Sequence, residues 1–103
     1  MMTFRQGGTG LQVSIAASNT TTAIPADATG TVVAITNPST TLTIYARLVG
    51  SSATSSAVTD LAIPPSAVVY LDRSPTLDTH IALFGSGAGP TLVNVAIGEA
   101  RFR

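Results

Sequence analysis

The chain has 103 residues, 45% of them hydrophobic, with five Arg, no Lys, five acidic residues and a net charge of zero. That length bounds one domain with a modest core, and a charged fraction of 10%, far below the roughly 25% of ordinary soluble domains, leaves no cluster of cations for nucleic-acid phosphates. The absence of Cys excludes a disulfide framework and a thiolate metal site.

In chain order, "MMTFRQGGTG" shows no alternation and carries Gly7, Gly8 and Gly10, so residues 1–10 are expected to form a flexible N-terminal arm that orders against something else. It also lacks the apolar segment of a secretory signal, so no cleaved export signal is expected. "LQVSIAAS" alternates Leu11, Val13, Ile15 and Ala17 against Gln12, Ser14 and Ser18, the two-residue period of a half-buried strand. Asn19-Thr20-Thr21 matches a glycosylation pattern, but with no secretion signal it reads as a polar, Thr-rich turn.

Further strands are expected at Thr31–Thr36, Leu42–Leu48, Ala67–Leu71, His80–Phe84 and Thr91–Ile97, with Thr59–Ile63 as a candidate seventh. The clusters "PADATG", "NPST", "GSSATSS", "PPS" and "DRSPTLD" separate them, each rich in residues with a known turn geometry. No window shows ten residues of helical period, and none approaches the 18 apolar residues of a membrane helix. The fold class is therefore all-β: a single antiparallel β-sandwich of about six to eight short strands, Ig-like or jelly-roll-like, over residues 11–103 with a short C-terminal extension, "GEARFR". Area scaling predicts a folded surface of roughly 5,400 Å². The core must come from Val, Ile, Leu and Ala, because the chain has three Phe, two Tyr and no Trp.

The nearest approach to a chemical motif is Gly85, Gly87 and Gly89 in "FGSGAGP". A dinucleotide fingerprint needs G-x-G-x-x-G opening a helix, with an acidic residue about 20 positions on. Here Pro90 takes the place of the last glycine and a strand follows, so the stretch reads as the turn of a hairpin joining His80–Phe84 to Thr91–Ile97. His80 with Asp78, and Ser74 or Ser86 as nucleophile, imitates a catalytic set, yet Asp78 belongs to a turn, where Asp bonds the backbone. One His, no Cys and five dispersed acids make no metal shell and no obvious hydrolytic pair. No enzyme activity, cofactor or metal is expected. Glycan binding would need an aromatic platform, for which the chain offers only Tyr45 and Tyr70, with Tyr45 on the Arg47 face of its strand.

A resemblance joins these readings. The order "VVAITNPSTTLTIYARLVG", a Ser/Thr-rich loop, "LAIPPSAVVYLDRSP", "THIALFGSGAG" and "LVNVAIGEA" resembles that of small accessory virion proteins of tailed bacteriophages over roughly residues 31–100. Ala100 stands where the family pattern has a second glycine, a departure consistent with a strand running on into "RFR". The resemblance implies a capsid decoration or cement protein, often a trimer, made in the bacterial cytoplasm and placed on the virion surface, with the major capsid protein or other virion proteins as partners and no role for nucleic acid or membrane. A head-completion, portal, tail or fibre component is the structural alternative, and a small glycan-binding module the alternative from another class. Exposure and anchor chemistry select Phe4, Arg5, Tyr45, Arg47, Phe102 and Arg103 as the expected protein-contact residues.

Overall fold

In the computed structural model, residues 2–15, 19–51, 60–85 and 91–102 are described. They form nine strands and, among the described residues, no helix: β1 (Met2–Gln6), β2 (Leu11–Ile15), β3 (Asn19–Ala23), β4 (Val32–Thr36), β5 (Ile44–Val49), β6 (Leu61–Ile63), β7 (Val68–Asp72), β8 (His80–Gly85) and β9 (Thr91–Phe102). The pairing is nested. Strand β5 pairs with β6, β4 with β7, β3 with β8 and β2 with β9, all antiparallel, so the chain is one long ribbon folded back on itself. The ribbon is then rolled, which brings β9 beside β4 and β8 beside β5. One sheet has the order β1/β2-β9-β4-β7 and the other β3-β8-β5-β6. That strand order is a jelly roll, which decides between the two sandwich types expected from the sequence.

Three expectations change. Residues 1–10 are not a loose arm in this structure: β1 pairs with the last part of β9, from Gln6 opposite Gly98 to Met2 opposite Phe102. The reason lies in β9, which runs twelve residues rather than seven and offers an edge that β1 and β2 share end to end. Next, Asn19–Ala23 is a strand rather than a turn. Its threonines are β-branched and suit an extended backbone, with Thr20 opposite Leu83 and Thr22 opposite Ile81. Finally, β8 and β9 form no hairpin. They belong to different sheets, so the glycine stretch between them carries the chain from one sheet to the other; residues 86–90 of it lie outside the described residues.

The inner faces of the sheets supply the core. Val13, Ile15, Val33, Ile35, Val95 and Ile97 come from the first sheet and meet Ile44, Ile63, Ile81 and Leu83 from the second. Among the described residues no aromatic ring belongs to this core. Each buried Ile, Val or Leu contributes about 1.5–3 kcal/mol. The accessible surface is 5501 Å², close to the value expected from chain length.

Among the described residues, one polar side chain is fully buried. Asn37, just after β4, donates from Nδ2 toward the carbonyls of Leu42 (2.8 Å), Ile63 (3.1 Å) and Pro64 (3.1 Å), and its Oδ1 accepts from the Ser39 N–H at 3.1 Å. Its own N–H donates to the Ala67 carbonyl at 2.9 Å. Asn37 thus ties the β4–β5 connection to the β6–β7 connection. Because Leu42 is held in this way, β5 starts at Ile44 rather than at Leu42.

Candidate functional site: a groove on the outer face of one sheet

Alternation fixes which residues of the first sheet face outward. Val33, Ile35, Val93, Val95 and Ile97 go inward and are buried, so Ala34, Thr36, Asn94 and Ala96 go outward, joined by Val68 and Tyr70 from β7. Register sorts them into rows across the sheet. Gln12, Asn94, Thr36 and Val68 make one row, and Ala96, Ala34 and Tyr70 make the next, about 7 Å away along the strands.

Between these rows and β1 lies an open groove of about 610 Å³. Its floor is low because Ala34 and Ala96, directly opposite each other, are small, and Gly10 extends that floor. Phe4 and Tyr70 stand at its rim with ring centroids 5.7 Å apart and planes tilted by 47°. Polar groups come from Gln6, Thr36 and Asn94, and none of the lining residues is charged. Gln12 Nε2 donates to Asn94 Oδ1 at 3.3 Å, and Gln6 Nε2 donates to the Gly8 carbonyl at 3.0 Å. These bonds orient the two amides and leave Asn94 Nδ2 and Gln6 Oε1 without a protein partner among the described residues.

Beside the groove, β1 and the end of β9 form a two-stranded ribbon that runs past β4, whose pairing with β9 stops at Gly98. Backbone contact at this junction is close. A Cβ on Gly98 would collide with the Arg5 carbonyl, and Gly30, at φ 126°, passes against the Gly98 carbonyl in a conformation that L side chains rarely adopt.

The expected contact residues divide between the two faces. Phe4, Arg5 and Phe102 fall on the ribbon, with Arg5 directly opposite Glu99 and Phe102 opposite Met2. Tyr45 and Arg47 lie on the outer face of the other sheet, where the Tyr45 and Phe84 rings pack with centroids 6.2 Å apart and Arg47 is exposed opposite Ala82. Arg103 lies outside the described residues. The six therefore do not make one surface. Sequence reasoning named Tyr70 only as a possible platform beside Tyr45 and passed over Asn94, Ala34 and Ala96, although the alternation in "TVVAIT", "AVVYL" and "TLVNVAI" already places all four outward; the missing signal was the register that sets them side by side.

In the set that imitates a catalytic one, the described side chains bond near neighbours in the chain. The Asp78 carboxylate accepts the Ser74 N–H at 2.8 Å, closing the turn before β8, while His80 Nδ1 pairs with the Thr79 hydroxyl at 2.8 Å. Ser86 lies outside the described residues. Among the described residues no three His, Cys, Asp or Glu side chains are grouped to hold a metal, and no helix is long and apolar enough to cross a membrane. The chain matches no family model, and no curated protein or solved structure matches it either.

Proposed function

We propose that this chain is a non-catalytic structural protein of a phage virion that binds the outside of the capsid and stabilises it as a homo-oligomer, with a trimer as the expected state. The observation that carries this reading is the β1·β9 ribbon. Among the described residues no strand pairs with β9 on its β4 side beyond Gly98, and β1 pairs only with β9, so the ribbon offers sheet edges to which a partner strand can add. It also holds three of the residues selected for anchor chemistry: Phe4, Arg5 and Phe102. A two-stranded ribbon alone is marginally stable in water, and pairing with a capsid subunit would fix it. Binding that exists only on the assembled shell stabilises the shell by mass action, and a neutral, weakly charged surface suits many copies held side by side.

Purified protein added to capsids that lack it should bind and raise their rupture temperature on heating. Arg5→Glu sets like charges directly opposite each other at Glu99 and should weaken that binding while the isolated protein stays folded. If wild-type protein neither binds nor shifts the rupture temperature, the capsid reading fails. Counting copies per virion then separates decoration, at hundreds of copies, from a portal, tail or fibre position, at about a dozen or fewer.

A further inference from the structure

We propose that the groove on the outer face of the first sheet is a binding site for a neutral saccharide of two or three rings. The proposal does not rest on capsid docking, although β1, with Phe4 and Gln6, belongs both to the ribbon and to the groove.

Three observations carry it. The first concerns the floor. Outward positions at the centre of a sheet favour β-branched or aromatic side chains, and Ala is depleted there; yet Ala34 and Ala96 face each other on the two central strands, continued by Gly10. Ala34 is buried, but Ala96 is half-exposed to the groove; a fold optimised only for packing would fill that position, and local departures of this kind concentrate at functional sites. The second is size. About 610 Å³ lies within the ~300–1,000 Å³ of small-molecule sites. The third is lining chemistry. Tyr70, 42% exposed, and Phe4 present aromatic surface at the rim, against which the C–H face of a sugar ring packs. Asn94 Nδ2 donates and Gln6 Oε1 accepts, the combination that pairs with sugar hydroxyls, each of which does both.

The same features decide between occupants. An apolar side chain of a partner protein would bury Asn94 Nδ2 and Gln6 Oε1 without hydrogen bonds, an unfavourable exchange. A sialylated, phosphorylated or uronic-acid ligand would find no counter-charge, since no lining residue is charged.

The test is an amide-resolved NMR titration of the ¹⁵N-labelled protein with maltotriose, mannotriose and triacetylchitotriose, and with sialyllactose as the acidic comparison. At least one neutral trisaccharide should shift the backbone amides of Thr36, Tyr70, Asn94 and Ala96, and sialyllactose should bind more weakly. Tyr70→Ala should weaken binding about tenfold. Ala96→Leu, which fills the floor, should abolish it with the spectrum still dispersed and capsid binding unchanged. The proposal is overturned if no neutral trisaccharide shifts those amides, if sialyllactose binds as tightly, or if folded Ala96→Leu binds like the wild type.

Discussion

Each outer face of the sandwich carries one tyrosine paired with one phenylalanine, and the two pairs serve opposite ends. On the second sheet, Tyr45 and Phe84 are cross-strand neighbours, and Ala82, although in an outward row between Thr21 and Arg47, is 0% exposed. On the first sheet, Tyr70 and Phe4 come from the two sides of the sheet; of the small residues between them Ala34 is buried at 8%, while Ala96 stays half-exposed on the floor of a groove. The lesson is that aromatic content alone does not mark a binding face; what matters is whether the neighbouring small residues are covered.

The largest effect should come from removing the strand that makes the groove's wall. Gly98 lies where β1, β9 and β4 meet, and any side chain there collides with the backbone of Arg5. Gly98→Val should therefore detach β1, taking Phe4 from the groove and leaving the second sheet's face unchanged. The expected cost is about 4 kcal/mol, read as a melting temperature lower by about 15–30 °C. Amide exchange should show protection lost in β1 while β5 and β8 keep theirs. If β5 and β8 lose protection to the same extent, the two faces are not separable in this way.

Much of the fold was legible because the core-facing positions alternate so regularly. "LTIYARL" and "TLVNVAI" read directly as strands, and the single-type aliphatic core followed from composition. What escaped depended on partners distant in sequence. "NTTTA" has no apolar face of its own and becomes a strand only because β8 has an open edge for it. "MTFRQ" is held by residues almost a hundred positions away. The buried role of Asn37 was equally hidden: "NPST" is a plain turn signal, and only the approach of the β6–β7 connection supplies the carbonyls of Ile63 and Pro64 that its amide needs. The groove lay in the same blind spot, since its residues sit on five strands and one loop.

A smaller effect should follow from Ala82→Leu on the closed face. Ala82 is fully buried, so the larger side chain must displace the groups that cover it. Overpacking of this kind costs about 1–3 kcal/mol, and thermal or denaturant unfolding should show it. The ring pair Tyr45–Phe84 should also loosen, visible as a change in tyrosine near-ultraviolet dichroism. An unchanged stability would mean that the face is only loosely covered, which would erase the contrast between the two sheets.

The identical change on the open face should do almost nothing to stability. At Ala96 a leucine rises into the groove rather than into packed neighbours, gaining contact with Tyr70 and the Val68 row while losing none. The expected shift is within about 0.5 kcal/mol of wild type, against the cost predicted at Ala82. The same unfolding measurement, run on both variants side by side, thus tests space alone, because the substitution and the strand environment are matched. A destabilisation at Ala96 equal to that at Ala82 would show that the floor is held low by packing. A neutral result would mean that stability leaves Ala96 free to be larger, so that the small residue has to be explained by what the groove admits.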